Sequence, residues 1–313
     1  MYLRRQGRFG KHEIVYYVCH YLTINYERFM KFFLVTTDHF SDRLWFKDDE
    51  DFVAAMNYVA VTCVITGINV LTFILMSNHT HFVLYCYRPD AKYFIDTFKK
   101  LYGSYFCRKY RQRDYFRRVK VDIREISTQD EGVEKAVAYV QMNSVAANIC
   151  PTPYFYRWGT GSSFFNENPL PGDPVESLSR RAQIRMVRSN VKLPKTFRFG
   201  KDGYILPDSY IKKEFVESFF KTPKRYNYFL RSSSKAKKTI EREALPSFSD
   251  QNILASSRDL CRSLFRTDLF DDLNKSQKAE LLKQLRYRFS ADIAQLCRVL
   301  GTSYEEAANM LDY

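Results

Sequence analysis

Phe73, Ile74, Leu75 and Met76 run into Ser77-Asn78, then His79-Thr80-His81, then Phe82, Val83, Leu84 and Tyr85. Two apolar runs joined by a short polar link predict strand, link, strand, with strands over Asn69 to Met76 and His79 to Tyr87. Side chains alternate faces along a strand, so the imidazoles of His79 and His81 point the same way and Thr80 the other. Two imidazoles on one rigid strand are half of a site for a divalent first-row ion, with positions left open for substrate. Alone, such a pair is more often a surface or satisfied core feature. A metal reading needs a third ligand and a reactive partner.

Both are offered by one later segment. Glu131 to Asn148 reads as a helix opened by a capping box, Thr128 with Glu131, and carries the apolar stripe Val133, Ala136, Val137 and Val140. Tyr139 and Asn143 stand four residues apart at the edge of that stripe, about 40° apart around the helix. A phenol and an amide oxygen can therefore approach one point. The chain has 23 tyrosines, most of them expected to be packing residues, so it is the company of Tyr139 that distinguishes it.

Taken in order, a set of blocks resembles the HUH single-strand endonucleases, and among them the single-tyrosine transposases close to the REP-associated tyrosine transposases. The blocks are Phe33-Leu34-Val35-Thr36-Thr37, Leu44-Trp45-Phe46, Asp48-Asp49-Glu50-Asp51, Met76 to Leu84, Tyr139-Val140-Gln141-Met142-Asn143-Ser144-Val145, and Trp158 to Ser163. About two fifths of the chain is covered, and the order and spacing are more specific than any single block. The resemblance implies that His79 and His81 bind a divalent metal, Mg²⁺ or Mn²⁺, with Asn143 as the amide ligand, and that Tyr139 is the nucleophile. It further implies a DNA transesterification through a 5′-phosphotyrosine, on single-stranded or hairpin DNA, by a bacterial cytoplasmic, nucleoid-associated protein for which a homodimer is an allowed assembly. The chain departs from the family's pattern at Ser77, usually Pro; at Thr80, usually bulky and apolar; and at Asn143-Ser144-Val145-Ala146-Ala147-Asn148, usually Asn-Pro-Val-Arg-Ala-Gly. The alternative is a catalytically weakened DNA-binding protein on the same scaffold. A replication or conjugation initiator of the wider class would carry helicase or primase segments not found in this sequence.

Charge agrees with a nucleic-acid partner. The net charge is +14, unevenly spread. Thr97 to Lys120 holds nine Lys or Arg against one acid, with Tyr102, Tyr105, Phe106, Tyr110, Tyr115 and Phe116 between them, a mixture suited to tracking phosphates and stacking unpaired bases. Phe94, Phe98, Leu101 and Tyr105 fall at helical spacing and read as a core stripe. Lys99, Lys100, Arg108, Lys109, Arg111, Arg113, Arg117 and Arg118 are the candidate DNA contacts. A second basic region, Arg180 to Glu243, holds 18 Lys or Arg against 6 acids and includes a candidate linker at Arg231 to Lys238 and a hairpin at Thr196 to Leu206, for which contact with duplex or hairpin DNA is preferred to scaffolding.

From Leu245 to Tyr313 the balance falls to 9 basic and 10 acidic residues with helical periodicity. Ser290 is the expected cap of one helix, Gly301 the turn and Ser303 the start of the next, a helix-turn-helix pattern whose second helix opens with Tyr304-Glu305-Glu306, two carboxylates that oppose duplex binding. Seven scattered cysteines without a CxxC pair read as reduced packing residues, no run reaches a membrane span, and residues near Met1 lack a signal-peptide core. His12, His20 and His39 fit no ligand pattern. The expected organisation is an N-terminal extension (1–27), a catalytic domain (28–165), a basic region with linker (166–244) and a helical module (245–313). Strand, helix, two strands, helix and strand in that order predict an α+β, ferredoxin-like antiparallel sheet with helices on one face.

Overall fold

The computed structural model describes residues 29–233 and 248–311; the N-terminal extension and most of the candidate linker lie outside them. The core elements are β1 (Lys31–Thr37), α1 (Asp49–Thr66), β2 (Asn69–Met76), β3 (His79–Cys86), α2 (Arg88–Tyr110) and β4 (Val121–Ile126). The strands form one antiparallel sheet in the order β2-β3-β1-β4, which puts the His79–Cys86 strand in the interior. Thr36 of β1 pairs with His81 and Ile74 of β2 pairs with His81 from the other side. Helix α1 begins and ends where side-chain chemistry directs: Asp48 caps its first turn by accepting from the Asp51 amide, and Gly67 at φ 68° closes it in the left-handed region.

The two faces of the sheet have different cover. Phe82 packs edge-on against Phe94 and Phe98 of α2, and α1 lies alongside α2 through Tyr58 and Tyr105. Residues of opposite parity face the other way. There His81 meets Tyr139 of α3 (Gly132–Gln141), and Phe32 meets Phe215 and Phe219 of α6 (Lys213–Phe220). Helices therefore cover both faces, where the order of elements alone suggested one. The outer edge of β2 is closed by residues 156–160: the Leu75 amide donates to Trp158 O (2.9 Å) and the Thr160 amide to Phe73 O (3.1 Å). Gly159 permits this approach, because a Cβ there would lie 2.7 Å from Phe73 O.

Between these elements and the C-terminal module come β5 (Gly172–Pro174), α5 (Arg180–Val187), β6 (Arg198–Gly200), α6 and α7 (Pro223–Ser232). Their apolar side chains, Val175, Val187, Phe199, Ile205, Val216 and Phe229 among them, join the same buried cluster as Phe33 and Phe82, so the core runs across the expected 165/166 boundary. The hairpin expected at Thr196 to Leu206 is a tight return, with Phe199 bridged to Ile205 and Gly203 in the turn. It is clamped to α1, where Asn57 Nδ2 donates to Gly203 O (3.1 Å) and the Ile205 amide donates to Asn57 Oδ1 (3.0 Å), which is a scaffolding contact.

Residues 248–311 form α8 (Asp250–Phe265), α9 (Lys275–Phe289), α10 (Ile293–Leu300) and α11 (Tyr304–Leu311) around a second core that includes Ile253, Leu281, Leu285, Leu296 and Met310. Ser290 is the left-handed C-cap of α9, and Asp292, accepting from the Gln295 amide, caps α10 in its place. Ser and Asp are comparable caps, and with Ser290 taken up in ending α9 the next acceptor, Asp292, starts α10. No helix among the described residues is long and apolar enough to cross a membrane.

Candidate active site

The site is built on β3 because an interior strand is held on both edges. His79 and His81 are both buried, and their Nδ1 atoms engage second partners: Asn78 Oδ1 at 2.8 Å and Thr36 Oγ1 at 2.9 Å. The first of these contacts has a defined sense. Asn78 Nδ2 donates to Phe40 O (2.8 Å), which turns its Oδ1 toward His79; an amide oxygen only accepts, so His79 Nδ1 carries the proton and its lone pair resides on Nε2. In that tautomer Nε2 carries the lone pair that a metal-ligating imidazole would use.

His39 joins them. Its ring stacks on His79 with centroids 3.6 Å apart and 17° between planes, and the ligand nitrogens of His39, His79 and His81 all lie within 4.8 Å of one another. Sequence reading missed this residue because its 40-residue distance from His79 hides it; the available signal was the β1–β3 register, which carries the chain just past Thr37 to the start of β3.

Tyr139 approaches from α3, its ring edge-on to His81 at 5.5 Å between centroids. Burial raises its phenol above the ordinary range while Arg124 on β4 pulls it down. Arg124 is a second residue the sequence did not single out; Leu34, beside Thr36 on β1, is its strand partner, which puts it on the histidine face. The helix differs from expectation at both ends. Glu131 is left-handed at φ 58° and makes no cap bond, pairing with Arg225 at 2.8 Å; Thr128 takes no part in a capping box. The helix breaks at Met142, and Asn143 begins the short α4 (Asn143–Ala146). The i, i+4 relation survives the break because Asn143 Nδ2 donates to Tyr139 O (2.8 Å) and Val140 O (3.2 Å), leaving its Oδ1 as the ligand-type atom. Asn143, His39 and His79 line one cavity.

A buried polar triangle pins this helix to the sheet. Gln141 Nε2 donates to Thr72 Oγ1 and Thr160 Oγ1, both at 2.7 Å, and the two hydroxyls bond each other at 2.6 Å. Gln141 sits between Tyr139 and Asn143, so the triangle sets the height of both over the histidines.

The basic candidates are placed elsewhere. Helix α2 lies on the face opposite the histidines, and Tyr102, Tyr105, Phe106 and Phe116 are buried. The hydroxyls of Tyr102, Tyr105, Tyr110 and Tyr115 bond to Trp45 O, Asp51 Oδ1, Asp51 Oδ2 and Leu44 O, so these rings are core and not a stacking platform. Lys109 is committed to Asp48 (2.7 Å), Glu50 (3.0 Å) and Asp51 (2.9 Å), and Lys99 donates to Val119 O (3.0 Å). The Lys109 ammonium is thereby held by three carboxylates, while Lys99 gives one of its three donors to a carbonyl. Lys100, Arg108, Arg111, Arg113, Arg117 and Arg118 are exposed.

Comparison with protein-family models, with curated proteins and with solved structures finds no match, so function has to be argued from this chain's own side chains.

Proposed function

We propose that the protein is a metal-dependent single-strand DNA transesterase of the HUH, single-tyrosine kind, on a ferredoxin-like sheet. The observation that carries this reading is the convergence of His39, His79, His81, Tyr139 and Asn143, from three separate stretches of sequence, on one face of an interior strand. The strand order β2-β3-β1-β4 with its two intervening helices supports the same fold reading.

His79 and His81, through Nε2, with Asn143 Oδ1 or His39 as third donor, would hold Mg²⁺ or Mn²⁺; three imidazoles favour the softer Mn²⁺ of the two. When bound, such an ion supplies charge neutralisation at a non-bridging phosphate oxygen. Tyr139 gives up its phenolic proton to solvent and attacks phosphorus through Oη. The Oη–P bond forms, the P–O3′ bond breaks, and the leaving strand takes up a proton as a 3′-hydroxyl. A second 3′-hydroxyl reverses the step by displacing the phenol, so strands are joined without ATP. Asn78 and Thr36 orient the imidazoles, and the Gln141 triangle holds the phenol.

The test is covalent capture. Incubation with a 5′-extended hairpin oligonucleotide and Mn²⁺ is expected to yield a denaturation-resistant protein–DNA adduct that Tyr139→Phe cannot form. An adduct that persists in Tyr139→Phe overturns the nucleophile. An intact hairpin that binds but is never cut favours the weakened DNA-binding alternative, to which the tie between Asn143 and its own helix would then belong.

A further inference from the structure

The C-terminal module is docked against the histidine site. Ser77, in the link before His79, donates to Asp250 Oδ2 at 2.5 Å, and Gln251 Nε2 donates to Phe46 O at 2.8 Å. Asp250 is itself buried, held by Gln295 Nε2 (2.9 Å) and by the guanidinium of Arg298 (3.3 Å). Ser77 stands where the resembled family has Pro, and Pro has no hydroxyl to offer this carboxylate. Between the two units lies a cavity of about 500 Å³, with His79 and Asn143 on one side and Gln251, Asn252 and Arg298 on the other. That volume is within the roughly 300–1,000 Å³ of small-molecule sites.

Its lining sets carboxamides beside exposed aromatic faces, and its two arginines, Arg157 and Arg298, are each paired with carboxylates, Arg157 with Asp49 and Asp202. Phe155 and Phe248 line it and are 66% and 45% exposed, although each is large and apolar. The Asn252 side chain has no hydrogen-bond partner among the described residues, while its backbone amide is taken by Ser249. A solvent-facing carboxamide with no such partner offers one donor and one acceptor side by side, the pair that reads a base edge, and exposed aromatic rings supply faces for an unstacked base. The one guanidinium contributed by the module, that of Arg298, is already shared with Asp250.

We infer that this cavity takes a single unstacked nucleobase of the bound strand, next to the scissile phosphate, and that the C-terminal module, through Asn252, selects which base it is. The inference rests on the single-strand reading above. It gives the module a role that does not need duplex binding by α11, whose first turn carries Glu305 and Glu306.

Binding is measured with the full-length Tyr139→Phe chain, so that cleavage plays no part, using dA, dC and dT strands about 12 nucleotides long and a fully abasic strand of equal length. The abasic strand is expected to bind about ten-fold more weakly than the best homopolymer, with a spread of roughly five-fold or more among the three bases. Asn252→Ala should bring dA, dC and dT within about two-fold of one another, and Phe155→Ala should shrink the abasic penalty. Both positions are exposed, so neither variant is expected to disturb folding. Equal binding of abasic and base-bearing strands, or an unchanged spread in Asn252→Ala, overturns the pocket. If that occurs while the native chain still forms its Tyr139 adduct, the pocket alone is lost; if no strand binds at all, the transesterase reading falls with it.

Discussion

The two faces of the four-stranded sheet are made from the same strands, yet they carry different side chains. One face presents Phe33, Val35, Phe73, Phe82 and Leu84 to a dry core under α2, and the rings of Phe82, Phe94 and Phe98 lie within 5.5 Å of their neighbours. The other presents Thr36, Thr72, His79 and His81 toward the helices of Tyr139, Gln141 and Asn143, with Thr36 bonded to His81 within the sheet and Gln141 bonded to Thr72 across to the helix. Apolar burial depends on area and tolerates substitution by volume, whereas the polar face depends on particular donors and acceptors in particular places. The difference separates where stability resides from where chemistry is expected, and it can be attacked from either side.

The largest expected effect is on the polar face. His81→Ala and Tyr139→Phe should each abolish DNA cleavage, measured on a labelled hairpin oligonucleotide, while single-strand binding stays within about three-fold of the native chain. Cleavage at native rates by His81→Ala would remove the distinction between the faces. On the other face, Phe98→Ala should cost about 3–5 kcal/mol of unfolding free energy in denaturant titration and leave the cleavage rate per folded molecule unchanged.

A smaller loss is expected at Lys109. Removing its ammonium leaves the fully buried Asp51 with only Tyr105, Tyr110 and the Lys47 amide, so Lys109→Met should destabilise the fold by roughly 2–3 kcal/mol with no effect on the salt dependence of DNA binding. A flattened salt dependence in Lys109→Met would return this residue to the DNA contacts expected from sequence.

The pH dependence has a stated sign. Burial raises the phenols of Tyr102, Tyr110, Tyr115, Tyr156 and Tyr226, and pushes Tyr204 up to about 12. An unfolded phenol ionises near about 10, so the unfolded chain loses these protons first. Stability should therefore hold below about pH 10 and fall as pH climbs toward the folded values, followed by the Tm in a series of alkaline buffers. A Tm unchanged up to about pH 12 would mean that these rings are not enclosed.

The smallest effect concerns the exposed arginines. Neutralising Arg108, Arg111 and Arg113 should lower the slope of log affinity against log salt by at most about 0.7 per residue on a single strand, and leave cleavage per bound molecule unchanged. These residues lie toward the face of the sheet away from the histidines, so a change in the cleavage step would show that the bound strand wraps around the edge of the sheet.

Much of the secondary structure could be read from residue pattern. The strand ending at Met76 and the strand beginning at His79 stand within a residue of expectation, because period-two runs and the polar link between them are local. Where a local signal had competitors, the reading slipped. Thr128 and Glu131 have a capping-box spacing, but Glu131 is taken by Arg225; Ser290 is a good cap residue displaced by Asp292. The basic, aromatic stretch from Thr97 to Lys120 has the composition of a strand-binding surface, but composition does not say which side chains point inward. The hydroxyls of all four of its tyrosines, Tyr102, Tyr105, Tyr110 and Tyr115, turned out to satisfy carbonyls and carboxylates of the core.

The sequence by itself determined which groups could do chemistry: two histidines at i and i+2 on a strand, and a phenol and an amide at i and i+4 on a helix, relations set by the repeat of each backbone. Only the tertiary structure decided that these groups meet, that His39 joins them, that Lys109 is spent on carboxylates, and that the C-terminal helices close a cavity over the site through Ser77 and Asp250. The reason is range. Backbone periodicity relates residues a few positions apart, whereas Ser77 and Asp250 are 173 positions apart and are brought together only by the burial of two separate cores and the hydrogen bonds between them.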